Sequence, residues 1–576
     1  MRREATRLVR DAIGQAKRLL GRPVMNRVWF LTTSRVLVSS LDLFGVFLLS
    51  EFTSAALDPK NLGGGTLPVQ WPWRDSPIST LLLALTALSI KSISSLILGT
   101  RQTRLLNSRA TELIQQYSKE LADSGYETTA GVDSHLLHYQ LTAGMRAGSS
   151  GIILPLSSLV SEGSLLVLFF LFLVLTNAPA AILSVVILGL TSRQLYRYLS
   201  YRQYRNGQLA GSATIRSLSY FQEAMHGYRE LYVRGSLRPM LDRFGSIEAE
   251  LSELQTSQAF LGNVPRHVLE TVVMLSLGVI AGVTILLRDI DAAILLITVF
   301  GAATARILPS LVPLQASLSE LQSNVGKSND LRDFLTRIRL RSNDPLRQHR
   351  ASDLTTEQPT VVLDHVTYRY PGTESDVLND VSLAVTGVGW YAVDGPSGSG
   401  KSTLLDVLIG LRMPTAGEVT IDGFRPTEFV QANPGKCAYL PQRVSVLNAT
   451  LAENVALGSE VKDGEVERLL RVVGLGEVLD RSVLGVHTRV GELGHGLSGG
   501  QLQRLGIARC LYTNPEIILL DESTTGLDEA TKSGILDLLS ELSKSLLVIS
   551  ISHDRDLTAR AGHVFRISAG RIVVQS

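Results

Sequence analysis

Six stretches of this sequence are apolar over about 20 residues, the length a helix needs to cross a bilayer. They run over about 28–50, 78–99, 152–175, 179–199, 264–287 and 291–313. In lipid every backbone polar group needs an internal partner, so helices are the expected form. The third, fifth and sixth stretches are the clearest. The first contains Arg35 and Asp42 and draws its support from the even spacing of the set. From Val361 onward the pattern changes to Val/Ile-rich runs alternating with helical periodicity, which reads as a soluble α/β domain. A chain of 576 residues is too long for one core, since single cores stop growing near about 250–300 residues. Its mean hydropathy of +0.18 is an average over two unlike parts.

The expected organisation is therefore a basic amphipathic helix over 1–27, a membrane domain over 28–335, a polar linker over 336–359 and a soluble α/β domain over 360–576. The N-terminal stretch has no continuous apolar core and no small-residue cleavage site, so it is not read as a signal peptide. Leu8, Val9, Ala12, Ile13, Ala16, Leu19 and Leu20 recur at helical spacing, which suits a helix lying on the cytoplasmic membrane surface. Arginines crowd the segments around Arg101–Arg109 and Arg193–Arg216, whereas loops 51–77 and 288–291 are balanced in charge. That asymmetry puts the N-terminus and the soluble domain on the cytoplasmic side of the membrane. Between the second and third stretches, and between the fourth and fifth, polar excursions read as helices reaching into the cytosol. In loop 51–77, Trp71 and Trp73 flank a proline, which suits either the membrane interface or a plain exposed loop.

A net charge of +2 gives no electrostatic case for nucleic acid. Two cysteines, Cys437 and Cys510, both in the soluble half, argue against a disulfide framework. His135, His138 and Asp133 lie in a polar segment with no fourth ligand, so DSHLLHYQ reads as a short coupling helix rather than a metal site. A second coupling segment is expected over about 212–224.

The chemistry sits in the second half. Gly395, Pro396, Ser397, Gly398, Ser399, Gly400, Lys401, Ser402 and Thr403 follow the strand-like GWYAVD and precede an apolar helical run. This is the strand–loop–helix setting of a phosphate-binding loop. Its glycines let backbone N–H groups face phosphate, Lys401 reaches the β- and γ-phosphates of ATP, and the Ser402 hydroxyl holds Mg²⁺. Downstream, EIILLDE is a buried strand ending in two carboxylates. Asp521 is expected at Mg²⁺, and Glu522 as the general base that polarises water. Leu497, Ser498, Gly499, Gly500 and Gln501 open a helix and form a second anion site at its N-terminus.

Taken with Gln442 in YLPQ, Asp528 in TGLD and His553 in ISHD, this set resembles the nucleotide-binding domain of an ABC transporter, every motif standing in family order. The resemblance implies that Tyr370 in YRYPG stacks on adenine and that Gln442 touches Mg²⁺ and reports to the membrane half. It also implies that Asp528 communicates between sites, that His553 contacts the γ-phosphate, and that Leu497–Gln501 act on ATP held by a second chain. Glu492 resembles the exporter-specific segment before the signature. TGLD replaces the commoner SALD, and Leu502 stands where exporters usually carry arginine; neither removes a catalytic group. With signature and Glu522 both intact, an identical chain is the expected partner.

Membrane domain before ATPase resembles the exporter class. SSLVSEG, QEAMHGYREL, NVPRHVLE and AATARILPS look most like bacterial flippases of lipid-linked oligosaccharides. The expected cargo is therefore an amphipathic, anionic lipid-linked molecule moved across the inner membrane, with Lys91, Arg266 and Arg306 as candidate cations of its cavity. A drug-like lipophile or small peptide is the alternative cargo. A non-transport ATPase or a gated channel is the reading from another class.

Overall fold

The computed structural model describes residues 2–57, 77–124, 126, 132–287, 311, 313–342, 358–491, 496–522 and 527–575. The chain divides into two compact units. The first holds Met1–Ser124 and Gly131–Ser342, and the second holds Asn343–Ser576 together with Gly125–Ala130.

The first unit is helical. Helix α1 (Arg2–Leu20) ends at Gly21, whose φ of +80° lets the chain turn before α2 (Arg22–Leu57). Helix α3 spans Pro77–Asp123 and α4 spans Ser134–Tyr139; α5 runs over Ser150–His226, α6 over Tyr228–Val233 and α7 over Leu237–Leu287. A helix over 313–327 and α8 (Leu331–Ser342) complete the described part.

Two antiparallel pairings are fixed by side chains in register. Gln102 Nε2 donates to Thr32 Oγ1 at 3.2 Å, Lys91 pairs with Asp42 at 2.6 Å, and a Cβ on Gly45 would meet Leu88 at 2.7 Å. Numbers rise on α2 as they fall on α3. Likewise Gln203 reaches the Gln258 carbonyl at 3.1 Å, Asn206 reaches Ser257 at 2.9 Å and Arg216 reaches Glu250 at 2.9 Å, joining α5 to α7. Helix 313–327 meets α5 through glycine. A Cβ on Gly207 would lie 2.2 Å from the Ser323 carbonyl oxygen, and one on Gly326 equally close to the Tyr204 carbonyl oxygen. Small residues allow this backbone-to-backbone approach.

Several expectations change here. The apolar stripe of α1 packs on protein: Ala16 and Leu20 are fully buried with Leu106, Tyr117, Ile152 and Leu331, and Leu8, Val9, Ala12 and Ile13 pack against the same cluster. The third and fourth expected spans both lie within Ser150–His226, and because Gly151 and Gly207 meet the adjacent residues Asn324 and Ser323, the chain turns back on itself between them. The second coupling segment, 212–224, is also interior to α5; the break comes later, at Gly227, ahead of α6. The expected linker start at 336 is helical, because α8 continues to Ser342 and seats Ile338 in the core. Asp133 caps α4 by accepting the His135 N–H at 2.8 Å, and among the described residues no metal-holding cluster occurs. The sixth span, Arg306, Trp71, Trp73 and Glu492 lie outside the described residues.

The second unit is α/β. An antiparallel sheet has the order β2 (Leu378–Thr386), β1 (Thr360–Tyr368), β4 (Ala416–Ile421). The six-stranded sheet has the order β11 (Arg571–Gln575), β10 (His563–Ser568), β3 (Gly389–Asp394), β9 (Leu547–Ile551), β8 (Ile517–Asp521), β5 (Cys437–Leu440). All its neighbours are parallel except β10 and β11. A short pair, β6 (Ala449–Thr450) with β7 (Arg489–Val490), lies apart. Every residue of β9 is buried, and β8 is buried until Asp521, as parallel strands covered on both faces require. Both cysteines are free thiols, and burial pushes each up to about 12, so neither is a nucleophile near neutral pH.

Candidate nucleotide site

Sheet order assembles the site. Strands β3, β9, β8 and β5 are consecutive neighbours, so the residues that follow their C-terminal ends share one edge, where parallel sheets bind ligands. The phosphate loop follows β3, His553 follows β9, Asp521 and Glu522 end β8, and Gln442 follows β5.

Helix α9 (Lys401–Leu408) begins directly after the loop. Gly398 and Gly400 have φ of +79° and +102°, the left-handed region that glycine alone enters without cost. At Gly395 a Cβ would lie 2.4 Å from the Ile567 carbonyl oxygen, so no larger residue fits. Lys401 is 6% exposed, and its ammonium donates to the Gly395 and Pro396 carbonyls at 2.8 and 3.0 Å. An ammonium has three N–H bonds, so one remains for a phosphate oxygen. Ser399 Oγ is buried with no hydrogen-bond partner. A tight turn, an orphaned hydroxyl and a buried ammonium together fit a polyphosphate chain.

Glu522 is held at its backbone and at both carboxylate oxygens. Its φ is +43°, a conformation costing about 1–3 kcal/mol in a non-glycine residue, and its N–H donates to the Ile551 carbonyl at 2.9 Å. Gln442 Nε2 donates to one oxygen at 2.6 Å, while His553 Nδ1 lies 3.1 Å from the other. Asp521 accepts from Tyr439 Oη at 3.4 Å. Burial pushes the Asp521 carboxyl above the usual carboxylate range, and the neighbouring Glu522 charge adds to this. A carboxylate so placed welcomes a cation, and Asp521, Ser402 and Gln442 are the residues that would hold Mg²⁺. Bound there, Mg²⁺ would neutralise phosphate charge.

The remaining motif residues sit on caps. Ser498 caps α10 (Gly499–Tyr512), accepting from the Gln501 N–H at 3.3 Å while its own N–H donates to Gln501 Oε1 at 2.8 Å. Gly500 has no room for a side chain, since a Cβ would lie 2.3 Å from the Thr531 methyl. Asp528 caps α11 (Glu529–Leu542) by accepting the Thr531 N–H at 3.0 Å, which holds its carboxyl below the usual range. Tyr370 donates to or accepts from Thr403 Oγ1 at 3.0 Å, tying the expected adenine platform to the phosphate loop. Among the described residues no hydrogen bond joins Ser498–Gln501 to that loop.

Sequence reasoning missed three residues. Gln503 on α10 donates to the Gln442 carbonyl at 3.0 Å, linking the signature helix to the segment that grips Glu522. It sits two positions past LSGGQ, where its burial on the helix's inner face was readable. Tyr439 alternates outward from β5, a pattern that was visible without naming Asp521. Arg412, 4.6 Å from the Tyr370 ring centroid, has no local signal at all.

The expected cavity cations are partnered where described. Lys91 is paired with buried Asp42, and Arg266 pairs with Glu270 at 2.9 Å one helical turn away.

Phosphate loop, paired acidic strand end and capped SGG helix on this sheet define a P-loop nucleotide-binding domain. Residues 378–525 match the ABC transporter family. The chain is 28% identical to the ATP-dependent lipid A-core flippase of Paraburkholderia xenovorans (strain LB400), over 62% of this chain and 60% of the flippase. It is 29% identical to the mesentericin-Y105 transport/processing ATP-binding protein MesD of Leuconostoc mesenteroides, over 45% of this chain and 36% of that protein. The chain thus spans less than two thirds of the length of these curated relatives. Its fold is that of a bacterial Atm1-family ABC exporter solved with ATP bound, with a TM-score of 0.73, 20% identity, and 96% and 95% of the two chains covered.

Proposed function

We propose that this chain is an ATP hydrolase coupled to transport, and that it moves an amphipathic, anionic lipid-linked molecule across the cytoplasmic membrane by alternating access. The observation that carries the hydrolytic reading is Glu522, clasped between Gln442 and His553 and adjacent to Asp521. A carboxylate held at both oxygens is oriented to accept a proton from water attacking a γ-phosphate. In this reading Tyr370 meets adenine, Lys401 meets the phosphates, and Leu497–Gln501 with Asp528 complete the site of a second, identical chain. The N-terminus and the ATPase face the cytoplasm.

The lipid-linked class draws support from the name of the Paraburkholderia relative. The cations add a condition. Lys91 and Arg266 already have carboxylate partners, so an anionic head group must displace Asp42 or Glu270 to be held there. The Leuconostoc relative favours the alternative cargo, a peptide. Reconstitution into liposomes separates the two. An anionic lipid-linked glycan should stimulate ATP hydrolysis and change leaflet, and Arg266→Gln should lower that movement while sparing basal hydrolysis. Stimulation by peptide with none by the lipid would reject the lipid-linked cargo.

A further inference from the structure

Tyr370 presents one ring, and a ring has two faces. Arg412 occupies one of them, its guanidinium carbon 4.6 Å from the ring centroid. Arg412 is itself fixed: its Nε donates to Asp406 Oδ2 at 2.8 Å, its NH1 donates to Tyr368 Oη at 3.1 Å, and its side chain is 16% exposed. The Tyr370 ring is met edge-on by Tyr368, with centroids 5.2 Å apart and planes at 84°, and its hydroxyl is tied to Thr403. One face, one edge and the hydroxyl are therefore engaged by protein, which leaves the opposite face as the one a flat ligand would use; Arg412 also lies 5.9 Å from the Tyr126 ring centroid.

We infer that Arg412 is a positioning residue for the base of ATP: held by Asp406 and Tyr368, it fixes the plane of Tyr370 and leaves the ring's second face for adenine. This rests on the reading that Tyr370 stacks on adenine. The physical case is that a planar guanidinium stacks well on an aromatic face and keeps its charge at any working pH. Loss of that contact frees the ring to rotate, so the ordering cost falls on nucleotide binding instead. Arg412 touches no phosphate-loop backbone in this arrangement, so its effect belongs to the base and not to the triphosphate.

The test uses the full chain in detergent or nanodiscs, with ATP and inorganic tripolyphosphate as separate ligands. Arg412→Gln should raise the Kd and KM for ATP about three- to tenfold, the range a partly desolvated cation–π contact supplies. Tripolyphosphate affinity should stay unchanged, and kcat at saturating ATP should hold within about twofold. In a Tyr370→Ala background the same substitution should add nothing, because Arg412 acts through the ring. Equal loss of ATP and tripolyphosphate binding would make Arg412 a structural residue and overturn the inference. Unchanged ATP affinity in Arg412→Gln, with Tyr370→Ala impaired, would overturn it too. If Tyr370→Ala itself binds ATP normally, the adenine reading fails first and takes this one with it.

Discussion

Glu522 carries a strained backbone, and nothing in its own side chain explains the strain. The explanation is positional: with φ at +43° and its N–H on Ile551, the residue turns out of β8 so that its carboxylate meets Gln442 and His553. Glu522→Gln keeps the shape and removes the base. We expect ATP affinity to persist and turnover to fall about 10²- to 10⁴-fold, measured as single-turnover phosphate release. Steady-state turnover near the parent rate would reassign the base. Asp521 makes a different prediction. Its carboxyl is raised by burial, so on acidification it takes up a proton before an ordinary carboxylate would. The sign for stability follows. The ionised form is disfavoured in the fold, so this group's destabilising effect is fully present above its raised pKa, begins to shrink as pH falls through that value, and is gone below the ordinary pKa of the unfolded chain. Binding runs the other way, since a protonated Asp521 cannot hold Mg²⁺. Mg²⁺-dependent ATP affinity should weaken on acidification at a pH above the usual carboxylate range, and Asp521→Asn should flatten that profile. A profile identical in the Asn variant would remove Asp521 from the metal site.

At the scale of elements, α10 and α11 meet where Gly500 faces Thr531 with no space for a methyl group. Gly500→Ala should lower stability by about 1–3 kcal/mol, as overpacking does, and Thr531→Ala should restore most of it by removing the opposing methyl. Thermal melting of the single and double variants checks this; a double variant no better than Gly500→Ala would mean that the clash is relieved elsewhere. The sheet was readable for a plain reason. IILLD and LVISI are short apolar runs between polar turns, and a P-loop before an apolar helix admits few other folds. The helical unit was less so. Hydropathy marks which residues favour lipid, but it does not say where a helix ends: residues 212–224, expected as a coupling segment, are still helical, and the break comes at Gly227. Periodicity alone likewise could not tell whether lipid or protein covers α1; Tyr117 and Leu331, which bury its stripe, are about 100 and 300 residues away in sequence. Arg412 belongs with these cases. Its role depends on Tyr370, Tyr368 and Asp406 coming together across strands and a helix, a juxtaposition no local motif encodes.

At the scale of the whole molecule, the two anion sites of one chain are built on different elements. The phosphate loop opens α9 after β3, whereas Ser498 opens α10, and the hydrogen bonds at Ser498 stay within its own cap. We propose that the Ser498 end of one chain serves the Lys401 end of another, and that proposal has a geometric test. Pair a chain carrying Lys401→Ala with a chain carrying Ser498→Ala. Both defects then fall in one shared site, and the other site is whole. Place the same two substitutions in one chain and pair it with an unaltered chain, and each shared site carries one defect. The two dimers have identical composition and differ only in which residues meet. The first should retain measurable hydrolysis and tight ATP binding at one site, while the second should lose both. The reverse ranking, with activity kept by the second dimer and lost by the first, would mean that each chain completes its own site, and the signature helix would need another role.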